Sequence, residues 1–120
     1  MPPHSISLTL DIRPCAKPRP RVTRWGAYNE PRYMEWRAEV VRQVKAQWDG
    51  VKISGKIGMF CHHDCKKKLR PDLDNAVGAV QDALKDAGIY GDDRIIRTLI
   101  VTCQEDTGRD RISLFLWTPV

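Results

Sequence analysis

From Leu73 the chain carries apolar residues at i, i+4, i+7, i+11 and i+14: Leu73, Val77, Val80, Leu84 and Ala87. That spacing marks one stripe of an α-helix, and Gly88 is the left-handed residue that ends it. The pattern predicts a helix over 74–87. A helix with one apolar stripe must bury it against another layer. Acid flanks this helix on both sides. Asp72-Leu73-Asp74-Asn75 opens it, and Asp92-Asp93 follows its stop. Immediately upstream stands Lys66-Lys67-Lys68-Leu69-Arg70-Pro71.

Carboxylates two apart on extended chain point the same way. Brought near Asp92 or Asp93, Asp72 and Asp74 would make an all-oxygen site, which suits Mg²⁺ or Mn²⁺ and not zinc. Lys66, Lys67, Lys68 and Arg70 would hold a polyanion against it. A hard cation beside bound phosphate is the requirement of phosphodiester hydrolysis. The residues alone therefore point to a metal-dependent nuclease with ligands Asp72, Asp74 and Asp93. Asp92 is the weaker ligand, because neighbours on extended chain point apart. A plainer alternative has Asp72 or Asp74 capping the helix and the basic run solvated.

Arg70-Pro71-Asp72-Leu73-Asp74-Asn75, then Asp82-Ala83-Leu84, then Gly88-Ile89-Tyr90-Gly91-Asp92-Asp93 resembles the RusA family of Holliday junction resolvases. The resemblance implies catalytic residues at Asp72, Asp74 and Asp93, with Mg²⁺ as cofactor and Mn²⁺ as a substitute. It implies a homodimer that nicks a four-way DNA junction symmetrically, in recombination and repair. Symmetric nicking fits a two-fold assembly with one site per cut strand. The family usually has a lysine four residues after the second Asp. Here that position is Gly78, so the charge would come from another cation, Lys68 or Lys85, or cleavage would be weak or absent.

Elsewhere Ile6, Leu8, Leu10 and Ile12 alternate with polar residues, which predicts a first strand. Arg13-Pro14-Cys15-Ala16-Lys17-Pro18-Arg19-Pro20-Arg21-Val22-Thr23-Arg24-Trp25 follows. Its prolines exclude a helix, so an extended loop is expected. Arg13, Lys17, Arg19, Arg21 and Arg24 suit phosphates, and Trp25 and Tyr28 suit base stacking. The Lys17–Arg24 pattern is similar to the loop of phage-type members of the family, which makes a phage or prophage source an expectation.

Asn29-Glu30-Pro31 reads as a helix start, and Tyr33, Trp36, Val40, Val44 and Trp48 give a helix near 31–48. Arg32, Arg37, Arg42 and Lys45 lie off that stripe as a possible basic face. Residues 51–62 alternate as a strand with a bulge near Gly55 or Gly58. Ile95–Gln104 and Arg111–Trp117 read as a hairpin around Glu105–Asp110. The order β-α-β-α-β-β predicts an α+β domain over 1–120, two helices on a mixed or antiparallel sheet.

At 42% hydrophobic and 29% charged, the chain is globular and not disordered. No apolar run is long enough to span a membrane, and no secretory leader is expected after Met1-Pro2-Pro3-His4. A cytoplasmic protein, bacterial or phage-encoded, is the expectation. The +5 charge favours an anionic partner. Without a Gly-rich phosphate loop, no nucleotide cofactor is expected. Two competing classes remain: a non-catalytic junction-binding protein, and a small zinc-stabilised adaptor built on Cys61-His62-His63-Asp64-Cys65.

Overall fold

Alternation in the first run becomes strand β1, Ser5–Leu10, with Ile6, Leu8 and Leu10 buried and the serines exposed. The computed structural model describes residues 5–18, 21–24, 26–28 and 30–118. The short strands β2 (Arg21–Thr23) and β3 (Gly26–Tyr28) pair with each other. The expected extended loop therefore contains a small hairpin. Helix α1 spans Pro31–Gln47, with Pro in the first turn and Tyr33, Trp36, Val40 and Val44 buried.

Strand β4 covers Ile57–Asp64 and helix α2 covers Leu73–Ala87. A 3₁₀ turn at Asp93–Ile95 leads into β5 (Ile96–Gln104), and β6 (Arg111–Trp117) closes the chain order. The main sheet runs β1-β6-β4-β5. β4 and β5 are parallel, and parallel neighbours need a crossover, here α2. β6 is antiparallel to β1 and β4. Both helices pack on one face of this mixed sheet, over a core that joins Leu8, Val40, Met59, Val80, Leu84 and Leu114. Among the described residues, no helix is long and apolar enough to cross a membrane.

The structure corrects two strand expectations. β5 and β6 are not a hairpin, because β6 lies between β1 and β4. Its clean alternation, with Ile112, Leu114 and Leu116 buried, earns it the interior position, while β5 takes the edge. Residues 105–110 cross the end of β4, a span of about two strand spacings or 9.6 Å. Six residues cover that as easily as they would form a hairpin turn. The strand expected over 51–62 starts only at Ile57. Gly55 at φ +84° turns the chain first, and Ile53 is buried separately, its N–H donating to the Ile89 carbonyl. The expected bulge is present as a register shift between Ile57 and Gly58.

β1 is an edge strand, and α1 covers part of its open ladder. The Gln47 side-chain amide accepts from Thr9 N–H at 2.9 Å and donates to Thr9 O at 2.8 Å. Gln43 does the same for Asp11, at 2.7 and 3.0 Å. These amides satisfy main-chain groups that would otherwise template another strand.

His63 is fully buried on β4. Its Nδ1 lies 3.3 Å from Thr102 O and its Nε2 3.7 Å from Cys61 Sγ. Burial pushes its pKa below the ordinary 6.5, against the opposing bond to Thr102. The folded state therefore favours neutral imidazole. Below about pH 6.5 the unfolded chain binds the extra proton, so stability contributed by this group is present above that pH and falls as pH drops through it. The melting temperature is expected to decline between pH 7 and pH 5, with a shallower decline in His63→Gln.

Candidate functional site

Two basic segments distant in sequence form the walls of one cleft. Arg13, Pro14, Cys15 and Ala16 line one side, and Lys66, Lys67, Lys68, Leu69, Arg70 and Pro71 the other, around 510 Å³. Neither wall is regular secondary structure, so both need anchors. Trp36 Nε1 donates to Arg13 O at 2.8 Å, and Lys17 N–H donates to Asn75 O at 3.3 Å. The first segment is thus tied to α1 and α2.

The second wall is held by the crossing segment after β5. Thr107 N–H donates to Cys65 O, and Asp106 N–H to Lys67 O. In return Lys66 N–H donates to Asp110 Oδ1 at 2.7 Å, and Leu69 N–H to Glu105 Oε2 at 2.6 Å. The basic run is a strapped loop whose ammonium groups face solvent. Lys68 pairs with Asp106 at 2.7 Å, but both are largely exposed, at 72% and 60%. Exposed pairs of that kind are weak, so Lys68 remains open to exchange for a phosphate.

Pro71 lines the cleft, and Asp72 is the next residue of the chain. Asp72 occupies the N-cap position of α2 but makes no side-chain cap bond, and Asp74 lies in the first turn. The capping alternative is therefore not what occupies Asp72. Among the described residues, no hydrogen bond or ion pair engages the carboxylates of Asp72 and Asp74, and both are exposed. Their oxygens sit at the positive end of the α2 dipole. After the C-terminal end of α2, Asp92 caps the 3₁₀ turn. Arg94 N–H and then its guanidinium hold the Asp92 carboxyl below the usual carboxylate range. Asp93 is exposed at the start of that turn. Among the described residues, no three His, Cys, Asp or Glu side chains converge closely enough to enclose an ion.

The donor set still fits Mg²⁺ or Mn²⁺. Mg²⁺ keeps several waters and takes one or two carboxylates, with substrate phosphates completing its shell. Among the described residues, Asp72 and Asp74 are two all-oxygen side chains without protein partners, next in the chain to a basic cleft. Zinc fits less well. Burial pushes the Cys61 thiol up to about 12. Burial, and then neighbouring Cys103, Asp110 and Glu105, push Cys65 up to about 11. Zinc takes four ligands, and among the described residues no three His, Cys, Asp or Glu side chains are grouped to hold it.

The predicted cations divide. Arg13, Lys66, Lys67, Lys68 and Arg70 meet at the cleft. Arg24 is exposed. Arg19, Trp25 and Asn29 lie outside the described residues, and Arg21 and Tyr28 are described only as backbone. The basic face expected on α1 is partly neutralised. Arg37 forks onto Asp86 with two 2.7 Å bonds and lies over the Tyr33 ring, and Arg42 pairs with Glu39.

Position 78 holds what sequence reasoning missed. Lys85 is exposed in the last turn of α2, and Lys68 is engaged by Asp106. The side chain that covers Gly78 is Lys17. A Cβ at 78 would meet Lys17 Cδ at 3.5 Å and Cβ at 3.9 Å. No periodicity could reveal a contact between residues 61 positions apart.

The sequence model of a known family, Endodeoxyribonuclease RusA, matches residues 11–114. No curated protein matches the chain.

Proposed function

Since the chain belongs to the RusA family of endodeoxyribonucleases, we propose that it resolves four-way DNA junctions by paired symmetric nicks, using Mg²⁺ with Mn²⁺ as a substitute. The observation that carries this reading is the basic cleft whose lining segment runs directly into Asp72 and Asp74, two carboxylates without a partner among the described residues. The family is one of nucleases that generally depend on a divalent metal. Asp72 and Asp74 would hold the ion; Asp93 is the third ligand that the family resemblance implies, although the free chain does not bring it together with them, and Asp92 is the weaker one because Arg94 already occupies it. A bound ion would polarise the scissile phosphate and acidify a water.

The chain's own residues bind and orient. Arg13, Lys17, Lys66, Lys67, Lys68 and Arg70, with Arg19, Arg21 and Arg24 on the neighbouring segment, would pair with backbone phosphates of the junction arms. The strap of residues 105–110 keeps Lys66 to Arg70 in register with Asp72, so that a phosphate bound in the cleft lies beside the acids. A homodimer is supported by the two-fold symmetry of the substrate. It is supported also by an apolar row on the sheet face away from the helices, where Phe60 lies beside Ile100 and Phe115. The last two are 47% and 41% exposed. Acting on DNA, the protein would work in the cytoplasm of a bacterium or of a phage's host.

The test is a nicking assay on a synthetic four-way junction, with linear duplex as control, in Mg²⁺, Mn²⁺ and chelator. Paired symmetric nicks lost in chelator are expected, from a species whose mass by light scattering is twice 13.8 kDa. Tight junction binding without nicks in either metal would instead make it a junction-binding protein.

A further inference from the structure

Among the cations around the cleft, Lys17 stands apart. Its backbone is pinned to the first turn of α2 through Asn75 O. Its stem then lies across Gly78, with Cδ and Cβ in contact range of the space a side chain there would fill. Its ammonium ends 3.3 Å from Asp82 Oδ1. Asp74, Gly78 and Asp82 are spaced i, i+4, i+8 and so share a face of the helix. The Lys17 stem sits over the middle position, with a carboxylate about 6 Å along the axis on either side.

The two ends of this arrangement differ. Asp82 is fixed, because Tyr33 OH donates to its other oxygen at 2.7 Å, and it is only 21% exposed. Lys17 is 49% exposed, and the pair is long. An exposed lysine pair of this kind is weak, and the lysine stem is flexible. The stem crosses α2 over Gly78, where an added Cβ would sit in ordinary contact with it, 3.5 Å from Cδ.

We propose that Lys17 is a mobile phosphate-binding cation of the acidic site: it rests on Asp82 in the free protein and swings over Gly78 towards Asp74 when a DNA phosphate arrives. This inference rests on the nuclease reading of the site and adds to it which cation serves the reacting phosphate. Asp82 is then a positioning residue that holds the ammonium near the site without competing for the ion.

The full-length protein decides this through junction binding in chelator and single-turnover nicking in Mg²⁺. In Lys17→Met, which keeps the stem and removes the charge, the slope of log affinity against log salt is expected to fall by about 0.9, the value of one lost phosphate contact. The nicking rate is expected to fall by about 10²-fold. Lys17→Arg should keep the slope. Asp82→Asn, which frees the ammonium, should bind the junction more tightly than wild type with an unchanged slope. A slope unchanged in Lys17→Met overturns the proposal. So does equal weakening in Lys17→Met and Asp82→Asn, which would make the pair a simple latch on the loop. Thermal melts of each variant guard against unfolding, with Lys17→Arg as the folded reference. If wild type and Asp74→Asn nick alike, the nuclease reading fails, and the slopes still decide whether Lys17 meets a phosphate.

Discussion

Asp74→Asn and Asp72→Asn are each expected to lower single-turnover nicking of a four-way junction by about 10²-fold or more, with junction affinity in chelator retained or increased. The split follows from where the charges sit. These carboxylates follow directly on the basic segment that lines the cleft, where they repel the phosphates that the cations attract. Neutralising one removes repulsion from the bound state and removes a ligand from the reactive one. Misfolding does not account for such a loss. Asp72 makes no side-chain cap bond, and Asn serves an N-cap as well as Asp. Asp93→Asn should behave like the first two. Asp92→Asn should lose less, because that carboxylate is committed to Arg94 N–H at 2.9 Å and its guanidinium at 3.0 Å. Wild-type nicking rates in all three of the Asp72, Asp74 and Asp93 variants would end the assignment of these residues.

Gly58→Val is expected to destabilise the fold by about 1–3 kcal/mol and to lower the melting temperature by about 4–12 °C. Gly58 lies beside Trp117 on β6 in the central strand pair. A Cβ there would fall 2.2 Å from two carbons of the Trp117 ring. The ring, stacked on Phe115 with centroids 5.6 Å apart, would have to leave the sheet face. Trp117→Ala in the same chain should recover part of the loss, because the clash partner is gone. That recovery is the coupling a double-mutant cycle reads. Unchanged melting in Gly58→Val would show that the ring moves aside at no cost.

Both results bear on how the molecule is written in its sequence. The helix over Leu73–Ala87 was legible to the residue at its C-terminal end, because an apolar stripe and a glycine stop are local signals. α1 and β1 were legible as elements by the same signals, although α1 ends at Gln47 and not near 48, and β1 at Leu10 short of Ile12. The acidic pairs and the basic runs were legible as chemistry, and the motif Arg70–Asn75 with Gly88–Asp93 was enough to indicate the family that the match over residues 11–114 establishes. The bulge near Gly58 was also legible, but not the contact beside it. Nothing near Gly58 in sequence announces an indole arriving from Trp117.

What local pattern cannot carry is the choice among pairing partners. Residues 96–104 and 111–117 had the composition and spacing of a hairpin, yet β6 inserted between β1 and β4. Both arrangements bury similar side chains with similar loop lengths, and only the whole sheet decides between them. The same limit governs the cleft. Arg13 and Lys66 are basic wherever they lie, but their facing one another depends on Trp36, Asn75 and the strap from Glu105 to Asp110. Lys17 over Gly78 is the clearest instance. The sequence by itself determined which groups can bind phosphate and metal, because charge and donor type belong to the residue. Tertiary structure alone decided which cation lies beside which carboxylate, because that depends on packing between segments that share no local signal.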